Sequence, residues 1–212
     1  MIADNPLLGP QWEALGHVLT SIFDRIRKHG DASFVMQTYG LKYQLSPNSS
    51  PFLQACINAL GGVQLEVSAN LQVMPELTPE QFKVLEFYGW TPPHDDPIEV
   101  GGDLEDENPN FSRHFAPDAD SLDIAEFALT TLVGVYEIIE DDYFGFTGPG
   151  ITEKVADLRK LGRLKRHEGN PDGQIFALPG KHLDQLEPSL PAGICLLQGP
   201  PRAKPPLATP ED

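Results

Sequence analysis

The chain has 212 residues, 40% hydrophobic and 22% charged, a composition too apolar for a wholly disordered protein. Its formal net charge is −16, and an acidic surface repels phosphate backbones, so we predict no nucleic-acid partner. Two cysteines are too few for a disulfide scaffold, and no apolar run reaches the roughly 18 residues that a membrane span requires. Because residues 1–10 contain no Lys or Arg and no long apolar core, we expect no secretory signal and a cytoplasmic location.

The first half of the chain predicts one helix followed by strands. Apolar residues recur at three- and four-residue spacing over 11–28, which is typical of an amphipathic helix. Strand-like segments follow at 33–39, 41–45, 52–58 and 63–69, and the short turns between them favour antiparallel pairing. The last segment alternates most regularly: Val63, Leu65, Val67 and Ala69 predict a buried side, and Gln64, Glu66, Ser68 and Asn70 a polar side.

The second half predicts two more helices separated by an acidic stretch. Thr78 and Gln81 have the spacing of a capping box, so a short helix should begin there. Residues 94–108 are rich in Asp and Glu, and we interpret them as a solvated loop. A long helix begins at Asp120 and carries an apolar stripe as far as Ile139. We interpret the carboxylates at its expected end as solvated surface rather than as a catalytic pair: Glu137, Glu140, Asp141 and Asp142.

The C-terminal part differs in composition. Residues 152–166 predict a basic helix, which we expect to pair with the acidic loop, and residues 174–178 and 193–198 predict short strands. We therefore expect a domain at 1–144, an extension at 145–198 and a Pro-rich disordered tail at 199–212. The predicted fold class is α+β, with a twisted antiparallel sheet covered on one face by the N-terminal and central helices.

Several short motifs occur in a familiar order. They are LEVSAN at 65–70, LTPEQ at 77–81, YGW at 88–90, the prolines at 92–93, the Asn110–Phe111 pair and the helix after Asp120. Together they resemble the actinobacterial proteins grouped with YbjN and the type III secretion chaperones as peptide-binding chaperones (TY-Chap), over residues 11–139. The resemblance implies a secretion-chaperone-like α+β fold that binds another polypeptide without catalysis.

The candidate peptide-binding residues come from these motifs and from the polar side of the third strand. They are Gln64, Glu66, Ser68, Asn70, Phe87, Trp90, Asn110 and Phe111. For each residue a second interpretation stays open. The polar strand side is either a peptide platform or plain solvated sheet, Trp90 either lines a groove or packs in the core, and Asn110–Phe111 either contact a ligand or dock a loop.

Other chemistry has weaker signals. The acidic stretch lacks the regular oxygen spacing of a calcium loop, and Cys56 and Cys195 lack the paired spacing of a zinc site. The sequence has neither a nucleotide-binding glycine loop nor a nucleophile elbow. We therefore predict no metal, no cofactor and no catalytic residue.

We predict a chaperone- or adaptor-like module that binds a polypeptide client. The acidic charge favours a basic or partly unfolded client, and a homodimer is left open. Two alternatives remain: an enzyme or small-molecule-binding protein with a pocket between sheet and helices, and a structural subunit of a larger assembly.

Overall fold

The computed structural model of the chain describes residues 2–30, 33–39, 51–69, 76–95, 98–100, 103–105, 108–138, 143–147, 163–165, 173–177 and 196–198. The predicted strand at 41–45 and the predicted tail at 199–212 lie outside these ranges. The described residues form an α+β fold in which helices pack on an antiparallel sheet.

Helix α1 (Glu13–His29) confirms the amphipathic pattern predicted for residues 11–28. Its apolar side is buried from Leu15 to Ile26. The helix ends because Gly30 adopts a left-handed conformation with φ 71°, in which its N–H donates to the Ile26 carbonyl at 2.8 Å.

Helices α2 (Pro79–Phe87) and α3 (Ser121–Gly134) begin at the predicted caps. In the capping box of α2, the Gln81 backbone N–H donates to Thr78 Oγ1 at 3.2 Å, and the Thr78 N–H donates to Gln81 Oε1 at 2.8 Å. The Asp120 carboxylate accepts the Leu122 N–H at 2.7 Å. None of the helices within the described ranges is long and apolar enough to cross a membrane.

The expected C-terminal end of the long helix is wrong. Helix α3 stops at Gly134, and Glu137 lies beyond it with φ 55°, so this carboxylate is not at a helix terminus. The apolar pattern in the sequence extends past the helix because Val135, Tyr136 and Ile138 are buried as well. These residues belong to the core but not to α3. Residues 139–142 lie outside the described ranges.

The sheet contains the three predicted strands at its centre. Strands β1 (Phe34–Tyr39), β2 (Phe52–Ile57) and β3 (Val63–Val67) pair antiparallel in sequence order, as predicted. The short turn on which the prediction depended joins β2 to β3, whereas residues 40–51 join β1 to β2. Two acidic-stretch strands, β4 (Ile98–Val100) and β5 (Asp103–Glu105), form a separate hairpin. The interpretation of residues 94–108 as a loop is therefore wrong in part, because backbone hydrogen bonds of 2.9 Å between His94 and Asn108 close this hairpin.

Two further strands complete a five-stranded antiparallel sheet. Strand β6 (Phe111–Phe115) pairs with β3, and β7 (Tyr143–Thr147) pairs with β1. Neither strand was predicted. The expected domain boundary between 144 and 145 falls inside β7, where Phe144 and Phe146 are in the core.

Three short strands from the C-terminal part extend the sheet beyond β7. Strands β8 (Arg163–Lys165), β9 (Gly173–Ala177) and β10 (Leu196–Gln198) follow in the spatial order β9, β10, β8. Strands β9 and β10 confirm the short strands predicted there, but they pair parallel, contrary to the purely antiparallel expectation. The prediction of a basic helix at 152–166 is wrong at 163–165, which form a strand. A leucine between two charged residues fits the alternation of a strand as well as the period of a helix. Residues 152–162 and 166 lie outside the described ranges.

All three helices contact the same face of the sheet, through aromatic pairs. Residues directly opposite each other in an antiparallel sheet share a face, which places the side chains of Phe34, Leu65, Phe111, Phe115 and Phe144 together. Helix α1 contacts this face through Phe23–Phe34, α2 through Phe82–Phe111 and α3 through Phe127–Phe115. Trp12, the residue before α1, contacts it through Phe144, and the ring centroids of the four pairs are 5.0–6.0 Å apart.

Candidate functional site

Three of the predicted site residues meet on the sheet face that the helices leave open. Gln64 and Glu66 are half-buried there, because their neighbours in β3 point into the core. Gln64 Nε2 donates to Glu66 Oε1 at 3.3 Å, and Asn110 Nδ2 donates to Glu66 Oε2 at 3.2 Å. The Glu66 carboxylate therefore accepts from both neighbours across β3 and the start of β6, while Asn110 Oδ1 is buried without a hydrogen-bond partner among the described residues.

Ser68 does not belong to an open polar face. It is completely buried, its Oγ accepts the Phe52 N–H at 2.8 Å, and its carbonyl accepts the Tyr136 hydroxyl. The prediction for Ser68 is wrong because the strand ends at Val67 and the alternation of sides does not continue past it. Asn70 lies outside the described residues.

Two of the predicted aromatic residues belong to the core. Trp90 is 2% exposed, and its Nε1 donates to Thr131 Oγ1 at 3.0 Å. Phe111 is 0% exposed and packs edge-on against Phe82. Their assignment to a peptide groove is wrong, since neither side chain has surface to offer, and the alternative of core packing describes both.

Phe87 is the exception among the predicted aromatic residues. It ends α2 on the outward side of the helix and is 86% exposed. Val84, one turn earlier on the same side of the helix, is exposed as well. Since α2 covers the core face of the sheet, Phe87 and the Gln64–Glu66–Asn110 group lie on opposite sides of the sheet and do not form one site.

An open pocket of about 440 Å³ is lined by Tyr88, the residue that follows Phe87. Tyr88, whose ring centroid is 6.2 Å from that of Phe87, forms one wall. The remaining lining comes from the N-terminal segment and one side of α3: Asn5, Asp123, Glu126, Phe127 and Thr130. The α3 residues are spaced three and four apart, so the helix presents them as a single stripe.

Asn5 fixes the polar wall of the pocket. Its Nδ2 donates to Glu126 Oε1 at 3.0 Å and to Thr130 Oγ1 at 3.2 Å, while its Oδ1 accepts the Leu7 N–H at 3.0 Å. The N-terminal segment is itself held by the buried side chains of Ile2 and Leu8. The Glu126 carboxylate is thereby oriented by a residue that packing holds in place.

Gly134 lies between the pocket residue Tyr88 and Leu7, another exposed apolar residue. A Cβ atom at Gly134 would lie 3.5 Å from Tyr88 Oη and 3.8 Å from Leu7 Cδ1, so the two side chains flank this glycine. Leu7 is 50% exposed. We name the whole region the α2–α3 surface and define it by its members: Leu7, Val84, Phe87, Tyr88, Asp123 and Glu126.

The charge of this surface is negative. Among the described residues neither Asp123 nor Glu126 forms an ion pair. Arg113 is the cation that contacts the Phe127 ring, with its guanidinium carbon 5.8 Å from the ring centroid. Its Nη1 donates to the Gly89 carbonyl at 2.7 Å. The two carboxylates carry more negative charge than the single half-buried guanidinium beside the Phe127 ring neutralises.

No group of three or more His, Cys, Asp or Glu side chains within the described ranges could hold a metal ion. Cys56 and His114 flank Gln64 on neighbouring strands, so they are separated by roughly two strand spacings of 4.8 Å and do not form a thiol–imidazole pair. The pocket instead offers carboxylate, hydroxyl and aromatic groups, which bind cations and hydrogen-bond donors.

Comparison with known proteins finds no family model that matches the sequence. No curated protein and no solved structure matches it either. The resemblance to the peptide-binding chaperones therefore rests on the sequence motifs, and it stays a prediction.

The sequence carried a partial signal for the pocket. Asp123, Glu126 and Thr130 have helical spacing within the long helix, which indicates a polar stripe. The contribution of Asn5, which is 121 residues from Glu126, has no local signature.

Proposed function

We propose that the chain is a peptide- or protein-binding module without chemistry of its own, and that it engages its partner through the α2–α3 surface. One observation carries the proposal. The described residues include four large hydrophobic side chains that are exposed. Two of them, Val84 and Phe87, lie one turn apart on α2, and a third, Leu7, lies beside Gly134 together with Tyr88, whose ring contacts that of Phe87. Exposed apolar residues that cluster in this way are typical of protein-interaction sites.

The energetics favour a macromolecular partner. Covering a phenylalanine side chain that is 86% exposed contributes about 1.5–3 kcal/mol of apolar burial, before the entropy lost on association. Neighbouring Val84 and Leu7 add to the area that one partner segment can cover. A partner that reaches both sides of the pocket gains most from this arrangement.

Two sequence-based expectations belong with this proposal: a secretion-chaperone-like role and a cytoplasmic location. The motif order supports the first, and the formal charge of −16 favours a basic or partly unfolded client. A homodimer through the same surface is a distinguishable outcome of the experiment below.

The test is site-specific photocrosslinking in cells that express the protein natively. Phe87 is replaced by p-benzoylphenylalanine, and Leu60, 54% exposed in the β2–β3 hairpin, is replaced in a matched control. We expect one defined polypeptide to be crosslinked at 87 and not at 60, and the purified polypeptide to bind Phe87→Ser at least about tenfold more weakly than wild type, as for a hot-spot aromatic.

Two results would contradict the proposal. One is identical crosslinking at both positions, and the other is unchanged affinity of the crosslinked polypeptide for Phe87→Ser. A crosslink between two copies of the chain, with a dimer mass in solution, would identify the occupant as a second copy.

A small-molecule-binding protein is the second candidate, because a volume of about 440 Å³ lies within the usual range of ligand pockets. This pocket lies between helices and the N-terminal segment rather than between sheet and helices. Mass spectrometry of compounds that co-purify with wild type, and are lost from Glu126→Gln, would favour this candidate over the first.

A further inference from the structure

We infer, resting on the peptide-binding function proposed above, that the partner inserts a lysine or arginine side chain into the pocket between Tyr88 and α3, next to an apolar residue that covers Phe87. The occupant is thus a basic, amphipathic polypeptide segment. The inference depends on which polar atoms the pocket leaves available, on its aromatic walls and on its size.

The pocket offers hydrogen-bond acceptors. Asp123 contributes two carboxylate oxygens, and Glu126 contributes Oε2, since its Oε1 already accepts from Asn5. The amide donors of Asn5 are directed to Glu126 and Thr130, so they are used inside the wall. An acceptor-rich pocket is complementary to a group that only donates, and lysine and arginine are the side chains of that kind.

The walls suit a long, partly apolar side chain. Phe127 is half-buried between Trp90 and Phe115, at centroid distances of 5.3 and 5.4 Å, and gives the pocket a fixed apolar wall. Tyr88 adds a second ring. A lysine or arginine can lay its methylene stem against these rings and still bring its charged end to the carboxylates.

Arg113 is the charge that opposes this arrangement. Its guanidinium lies 5.8 Å from the ring centroids of both Phe115 and Phe127. It is held away by its bond to the Gly89 carbonyl and does not pair with Asp123 or Glu126. The net charge around the pocket therefore stays negative, in the same sense as the whole chain, and it attracts a cation from a distance.

The neighbouring apolar residues define what must flank the cation. Phe87 lies on the Tyr88 side of the pocket, and Leu7 lies across Gly134 from Tyr88. A partner whose cation enters the pocket therefore places its adjacent residues against Phe87 or Leu7. The expected partner motif is Lys or Arg with an apolar residue within a few positions.

The experiment is selection of a displayed library of random 12-residue peptides on the full chain. Parallel selections use Phe87→Ser, the isosteric pair Asp123→Asn/Glu126→Gln, and Asp24→Asn/Asp118→Asn as a control that removes the same charge from exposed positions elsewhere. Thermal unfolding of each variant establishes that it is folded before selection.

We expect wild type and the control pair to enrich peptides with Lys or Arg beside an apolar residue. The Asp123→Asn/Glu126→Gln variant should keep the apolar preference and lose the basic one. In fluorescence anisotropy, replacing the selected Lys or Arg by norleucine should weaken binding to wild type about tenfold at low salt, and less at high salt.

The outcomes separate the two proposals. If wild type enriches no more peptide than Phe87→Ser does, the peptide-binding function itself is contradicted. Enrichment without Lys or Arg, or a basic preference that persists in Asp123→Asn/Glu126→Gln, overturns only the inference of a cation in the pocket. Self-association that this variant abolishes would make a second copy the occupant and would also overturn it.

Discussion

The Trp90 indole and the Thr131 hydroxyl are joined by a buried hydrogen bond in which Nε1 donates to Oγ1 across 3.0 Å. The bond connects the segment after α2 to the last turn of α3. Tyr88, two residues before Trp90, is thereby held against the polar stripe of α3. A core contact thus joins the segment that carries Tyr88 to the helix that forms the other wall of the pocket.

The first prediction concerns this bond. Trp90→Phe keeps an aromatic ring beside Phe127 but removes the indole donor, so Thr131 Oγ1 loses a buried partner. We expect the free energy of unfolding in urea to fall by about 1–2 kcal/mol, with an added contribution from lost volume. Thr131→Val measures the other side of the pair, and the two substitutions should be non-additive. Full additivity would contradict the contact.

The second prediction compares two phenylalanines that look equivalent in the sequence. Phe87→Ala should change the free energy of unfolding by no more than about 0.5 kcal/mol, because the side chain is 86% exposed. Phe111→Ala should cost about 3–5 kcal/mol, because that ring is 0% exposed and packs on Phe82. Urea denaturation of both variants provides the measurement. A similar cost at both positions would mean that Phe87 is covered in solution.

The elements that could be predicted have local signals. The apolar period of α1, the alternation of β3 and the capping box at Thr78 all lie within short windows of sequence. Strand β6 was missed because Arg113 occupies a core-facing position between Phe111 and Phe115, and this breaks the apolar alternation. Strand β7 was missed because Gly145 resembles a break, although it lies between two buried phenylalanines.

The candidate site was predictable only in part, for a related reason. Phe87 and Trp90 are three residues apart, and the sequence does not indicate that the first ends a helix on its outer side while the second turns into the core. Burial depends on how α2 docks, and that depends on contacts with α3 about forty residues later. The hydrogen bond between Asn5 and Glu126 is more distant still.

The third prediction concerns the capping box of α2, which supports Phe87 and Tyr88. Thr78→Ala removes the hydroxyl that accepts the Gln81 N–H, and it should lower stability by about 1 kcal/mol. Thr78→Ser retains the acceptor and should lose much less. Urea denaturation and amide hydrogen exchange across residues 79–87 report the difference. An equal loss for the two variants would show that the methyl group matters rather than the cap.

The last prediction concerns Asn5 and uses charge to isolate its contact with Glu126. Asn5→Asp keeps the oxygen that accepts the Leu7 N–H but replaces the donor facing Glu126 Oε1 by a second carboxylate oxygen. We expect a loss of about 1–3 kcal/mol in the free energy of unfolding, and a smaller loss at high salt because the repulsion is screened. Asn5→Ala should show a loss that salt changes little.

A second substitution at Glu126 that restores the stability of Asn5→Asp would identify the contact between the two residues. In the Asn5→Asp/Glu126→Gln double variant, the new amide at 126 can donate to the new carboxylate at 5, which reverses the direction of the original bond while keeping its geometry. The double variant should therefore recover most of the lost stability, and its coupling energy should be about 1 kcal/mol or more in a double-mutant cycle. Without such recovery, the cost of Asn5→Asp would come from the N-terminal turn rather than from the pocket wall. With it, Asn5 and Glu126 form one unit, and the orientation of the pocket carboxylate depends on the docking of the N-terminal segment.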